Sequence, residues 1–185
     1  MQIKIKFDPD KHKYIVGGRE IPSVTTILKE LTILDDRWFK PGSDEMGTKV
    51  HEYLELLDRG YNNLIPPTIR GYVKGYMAFR EANKNYKIKY VELALYDTKL
   101  KVCGKVDRIY ENEQGEELIV DIKTGSPLRF HVLQLTAYAM AYGNKNAKIG
   151  CLYLSSDGTY RFKEHSRLQN IWKACVKVHD YKVRR

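Results

Sequence analysis

The run Leu118-Ile119-Val120-Asp121-Ile122-Lys123-Thr124-Gly125 constrains this chain more than any other stretch. Its near-continuous apolar residues describe a strand buried at the centre of a sheet. Asp121 and Lys123 interrupt that run, and side chains two apart on a strand point to the same side. Ionised groups at the end of a central strand are costly unless they are paired or bind a metal. One reading is an Asp–Lys ion pair, helped by the turn at Thr124-Gly125. The other is a site that uses both groups. The preceding strand, 101–110, carries a second aspartate in Gly104-Lys105-Val106-Asp107-Arg108-Ile109. Regular alternation predicts Cys103, Asp107 and Ile109 on one face, with Val102, Gly104 and Val106 on the other.

The flanking segments give this strand its partners. Residues 87–96, 101–110 and 117–123 read as a three-strand meander, broken at Asp97-Thr98 and at Asn112 to Gly115. A helix follows over 129–142, with Val132, Leu135, Ala139 and Tyr142 inward. Strands at 148–155 and 159–164 meet at Ser156-Asp157-Gly158, and a helix covers roughly 166–180 before the basic tail Lys182 to Arg185. Upstream, strands at 2–7 and 12–16 form a hairpin. Ser23 suits the N-cap of a helix through Leu28. A helix from Ser43 buries Met46, Val50, Tyr53, Leu54 and Leu57, and Gly60 stops it. Pro67 opens another, which buries Ile69, Tyr72, Val73, Tyr76 and Phe79. Gly71 and Gly75 on that helix read as close packing. The order predicts an α/β (α+β) fold, one mixed sheet flanked by helices. A single domain over 1–185 is expected: an N-terminal hairpin and helical part (1–84), a sheet core (85–165), and a C-terminal helix and tail (166–185).

Composition narrows the function. There are 32 Lys+Arg and 23 Asp+Glu, a net charge of +9, which permits a polyanionic partner without requiring one. No apolar run is long enough for a membrane span. Cys103, Cys151 and Cys175 are odd in number and lack CxxC spacing, which argues against a disulfide framework, a zinc knuckle or an iron–sulfur cluster. A reducing cytoplasm fits. Asp107 and Asp121, brought together on adjacent strands, make a hard oxygen site for Mg²⁺ or Mn²⁺. Lys123 beside them suits charge developing on a phosphate.

These residues carry a resemblance. Asp107 followed by Asp121-Ile122-Lys123 is similar to the D…(D/E)-x-K core of the PD-(D/E)XK nuclease superfamily. Gly104 to Arg108, Val120 to Gly125 and Gln134-Leu135-Thr136-Ala137-Tyr138-Ala139 resemble the G-x-x-D-R, (V/I)-D-x-K-T-G and Q-L-x-x-Y-A blocks of its RecB-like branch. Gly47 to His51 resembles that branch's G-x-x-x-H helix. Residues 21–28 resemble the start of small stand-alone phage and mitochondrial-genome-maintenance exonucleases. Together the blocks span about 21–140.

The resemblance implies a restriction-endonuclease-like αβββαβ core and a metal-dependent deoxyribonuclease. It points to an exonuclease on DNA ends or single strands, in recombination, repair or replication. Asp107, Asp121, His51 and the backbone carbonyl of Ile122 are then metal ligands, and Lys123 is the catalytic lysine. Gln134 and Tyr138 support the site. Glu92 binds a second metal or steadies His51 or Lys123. The namesake proline is replaced by Val106, and the four cysteines of some relatives are missing, so no cluster is implied. A phage source, and hence a host cytoplasm, is implied by the small size of such relatives.

Bland readings stand beside these. His51 alone is an ordinary half-buried histidine, and His12, His131, His165 and His179 read as surface or loop residues. Arg108 is structural or DNA-facing. Ser23 and Thr25 either hold a phosphate or serve a helix start. Arg37, Trp38 and Lys40 form a basic, aromatic loop suited to a DNA backbone and its bases, and Thr124 adjoins the site. A nuclease fold kept only for binding nucleic acid, or as a recombination-complex component, is the alternative function. The sequence reports no oligomeric state.

Overall fold

The computed structural model describes residues 4–8, 13–34, 42–61 and 63–183. Strands β1 (Ile5–Asp8), β2 (Lys13–Val16) and β3 (Arg19–Ile21) form a small antiparallel sheet. The third strand has no counterpart in the sequence reading. Three residues are too few to show alternation, and its turn depends on Gly17 and Gly18 at φ +56° and +78°. Helix α1 (Val24–Glu30) starts where expected: the Ser23 hydroxyl accepts the Thr26 N–H at 3.0 Å.

Helices α2 (Ser43–Asp58) and α3 (Arg70–Ala82) precede the main sheet, and Pro67 opens a short 3₁₀ turn that leads into α3. The sheet has the order β4 (Tyr86–Asp97), β5 (Val102–Asn112), β6 (Glu117–Lys123), β7 (Lys148–Leu154) and β8 (Tyr160–His165). Only β6 and β7 run parallel, and α4 (Phe130–Tyr142) makes the crossover between them. Helix α5 (Gln169–Val183) closes the chain, shifted about one turn later than the sequence suggests. Mixed α/β architecture with helices on both faces is therefore confirmed.

Each face of the sheet has its own core. One gathers Val24, Ile27, Val106, Ile109, Ile119, Leu135 and Trp172 beneath α1, α4 and α5. The other gathers Val50, Leu54, Val73, Tyr76, Phe79, Tyr110, Val120 and Ile122 beneath α2 and α3. Each fully buried aliphatic side chain contributes about 1.5–3 kcal/mol. Gly71 and Gly75 let α3 press against the β7–β8 turn, where added Cβ atoms would meet the carbonyls of Ser156 and Thr159.

Three expectations need correction. Helix α4 is buried on nearly every side, from Phe130 and His131 through Ala139, because it lies between the sheet, α1 and α5. Val132 and Tyr142, expected inward, are only half-buried. His131 and His179 are buried rather than surface residues. In β5, Val102, Val106 and Ile109 share one core, while Tyr110 belongs to the other. The alternation thus slips by one residue around Asp107–Arg108.

Candidate metal centre and active site

That slip builds the site. Pairing of β4 with β5 passes from Val91–Arg108 to Leu93–Val106, stepping over Glu92 and Asp107. Glu92 there has φ +52°, a conformation that costs a non-glycine residue about 1–3 kcal/mol and persists where surrounding contacts enforce it. On its other edge, β5 pairs with β6 only as far as Arg108–Val120, so Asp121, Ile122 and Lys123 run on without a β5 partner. Asp107 bridges the gap. Its Oδ2 accepts the Ile122 N–H at 2.6 Å, taking the place of a ladder carbonyl. The edge of β5 that β6 leaves is occupied by Pro22 and Ser23, with the Cys103 N–H donating to Pro22 O at 3.0 Å.

Helix α2 brings His51 to this opening, with Nδ1 3.6 Å from Asp107 Oδ1. One donor atom each from His51, Glu92 and Asp107 lie within 4.8 Å of one another. An imidazole nitrogen and two carboxylate oxygens at that separation fit a divalent cation. Across the opening, Lys123 Nζ lies 2.8 Å from Asp121 Oδ2 and donates to Gln134 Oε1 at 3.0 Å. The Asp121 contact is an ion pair outside hydrogen-bond geometry, which leaves that buried oxygen without a true donor. Gln134 Nε2 continues the chain to Tyr138 Oη at 2.9 Å. Gly104 makes room for the Tyr138 ring, since a Cβ there would overlap its edge.

Burial and mutual repulsion load this opening with acids whose charged forms are disfavoured. Burial, reinforced by Asp107, raises the Glu92 pKa despite Lys105 and Arg108. Burial likewise pushes Asp121 up to about 6; Lys123 opposes the shift and Asp107 adds to it. For Lys123, burial alone would favour the neutral amine, but Asp121 and Asp107 outweigh it and hold the ammonium charged.

Comparison with known families decides what this arrangement belongs to. A family model described as PD-(D/E)XK nuclease superfamily matches residues 29–181. The chain belongs to the PD-(D/E)XK nuclease superfamily. No curated protein matches it. Among solved structures, one titled "Crystal structure of SSO0001" is similar at 20% identity with a TM-score of 0.40. That match covers 59% of this chain and 54% of that one, so the chain spans about half of its length, and the likeness is too loose to argue from.

As in the superfamily's D…(D/E)-x-K signature, Asp107, Asp121 and Lys123 converge, and His51 joins them. Glu92 stands beside Asp107 and His51, whereas Asp121 faces Lys123 and lies outside the three-donor group. Ile122 contributes its N–H to Asp107, and its side chain fills the α2/α3 core. Thr124 lies next to α2, its hydroxyl 3.5 Å from where a Cβ on Gly47 would sit.

Other expected contacts are corrected. Arg108 is completely buried and cannot touch DNA. Its Nε donates to Asp58 Oδ2 at 2.6 Å, and its Nη1 to Glu92 Oε1 at 3.0 Å and to Asp107 O at 2.6 Å. It ties the end of α2, and hence the helix of His51, to β4 and β5. Ser23 fulfils its capping role with its hydroxyl bonded, and Thr25 is half-buried on α1. Arg37, Trp38 and Lys40 lie outside the described residues.

Two residues escaped the sequence reading. Asp58 binds Arg108, Tyr76 Oη at 2.6 Å and Arg80 Nη1 at 3.0 Å. Its signal was its place two helical turns after His51, on the same face. Lys105, at a variable position of the G-x-x-D-R block, holds Glu92 Oε2 at 2.6 Å.

Proposed function

We propose that this chain is a Mg²⁺- or Mn²⁺-dependent deoxyribonuclease of the RecB-like branch, acting as one nuclease unit in the cytoplasm and digesting DNA from ends or as single strands. The observation that carries the reading is the gathering of His51, Glu92 and Asp107 donor atoms within 4.8 Å, beside the Asp121–Lys123–Gln134 chain. A net charge of +9 supports a polyanionic substrate. The likeness of residues 21–28 to small exonucleases supports end-directed cleavage and a task in recombination, repair or replication. A binding-only module is disfavoured because the histidine, carboxylates and lysine are all in place.

The roles follow from the contacts. His51, Glu92 and Asp107 would hold the ion, with Asp121 paired to Lys123 beside them. A divalent ion held there would supply Lewis acidity for activating water and polarising the scissile phosphate. Lys123, kept charged and aimed by Asp121 and Gln134, neutralises negative charge that builds on the phosphate. Gln134 is itself fixed by Tyr138, which packs against Gly104.

Digestion of end-labelled linear, closed circular, single- and double-stranded DNA tests this. Mg²⁺ or Mn²⁺ is expected to support loss of linear substrate, with closed circles spared and no cleavage in EDTA. Cleavage of closed circles replaces the exonuclease reading with an endonuclease. No hydrolysis with either ion overturns the metal-dependent deoxyribonuclease.

A further inference from the structure

Both oxygens of Glu92 are already held by cationic side chains. Oε1 accepts from Arg108 Nη1 at 3.0 Å, and Oε2 lies 2.6 Å from Lys105 Nζ. These two partners differ in freedom. The Arg108 side chain has 0% exposure and is bonded on to Asp58 and Asp107 O, so it stays. The Lys105 side chain is 44% exposed and makes its close contact with Glu92 at the rim.

We propose that Lys105 is a tethered counter-ion that a divalent cation displaces from Glu92 as it enters the site. The inference rests on the metal-dependent reading above and adds what sets the site's affinity. A metal that takes a Glu92 oxygen must share or evict a cation, and only Lys105 has solvent to move into. Its ammonium occupies part of the charge deficit left by Glu92 and Asp107, so it lowers metal affinity and steadies the metal-free protein. Like charges a few ångströms apart repel strongly in a partly desolvated site.

Calorimetric titration of the full chain with Mn²⁺, without substrate, tests the idea. Lys105→Met keeps most of the stem and removes the charge; it is expected to tighten Mn²⁺ binding about tenfold or more. Lys105→Arg keeps the charge and is expected to bind within about twofold of wild type. Lys87→Met, on an exposed lysine of β4, removes the same formal charge away from the site and is expected to change nothing. Thermal melting checks that each variant is folded. Unchanged or weaker Mn²⁺ binding by folded Lys105→Met overturns the proposal, as does equal tightening by Lys87→Met. If wild type binds no Mn²⁺ and Asp107→Ala behaves the same, the metal centre itself fails and the counter-ion role falls with it.

Discussion

Strand β6 carries a buried carboxylate near each end, and the two have opposite surroundings. Glu117 at its start accepts from Lys89 Nζ at 2.6 Å, Tyr142 Oη at 2.6 Å and Asn144 Nδ2 at 2.5 Å. Burial works to raise its pKa, but those three bonds win and hold it below the usual range. Asp121 near the other end has one ion-pair partner, Lys123, and an acidic neighbour, Asp107, and with burial its pKa moves up. A buried acid whose donors are all supplied is a finished piece of structure. Acids crowded beyond their donors mark a place where a cation belongs.

The largest expected effect breaks that contrast at the Asp121 end. Asp121→Ala is expected to cut DNA hydrolysis by about a hundred- to a thousandfold while the chain still folds, at a lowered melting temperature because Lys123 loses its buried ion-pair partner. Turnover on end-labelled DNA and a thermal melt read both halves; a folded variant with full activity sinks the assignment. Arg108→Met comes next. It leaves Asp58 and Glu92 without their buried cation, and breaking such a pair costs about 3–5 kcal/mol, read by urea denaturation. Glu117→Ala is expected to cost about 2 kcal/mol, since Lys89 keeps Glu111 at 2.6 Å as a second partner. Because that end holds no chemistry, its hydrolysis rate should match wild type at a temperature where both are folded.

The sequence disclosed the parts of this contrast that depend on regular geometry. Asp121 and Lys123 lie two apart on an unbroken strand, so their shared side was legible, as was the Gln134–Tyr138 spacing on α4. Asp107's surroundings were misread because Glu92, on the neighbouring strand, leaves the extended conformation, and alternation assumes a uniform pleat. Arg108 looked available to DNA because its partner Asp58 is 50 residues away and only the folded chain brings them together. His131 looked exposed because a crossover helix normally has a wet face, and this one is overlaid by α1 and α5.

His131 gives the smallest effect and sharpens the comparison with a group of opposite charge type. Its Nδ1 accepts the Leu128 N–H at 3.3 Å and lies 3.2 Å from Tyr153 Oη. Burial first, then the Lys123 charge, lowers its pKa to about 3, so the folded ring is neutral where the unfolded ring, with a pKa of 6.5, takes a proton. Stability from this group is therefore lost as pH falls below about 6.5 and continues to fall until about 3. Between pH 7.5 and 5.5 the loss is about 1.4 kcal/mol, set almost wholly by the unfolded value because the folded one lies so far below. Asp121 acts in the opposite sense: its raised pKa makes the folded state gain relative stability as acid protonates it. Comparing wild type with His131→Gln cancels that contribution, and urea midpoints at the two pH values should show the variant losing less stability on acidification. Equal pH slopes in the two proteins would mean that His131 takes up its proton in the folded state, and that the charge on Lys123 is not felt behind β6.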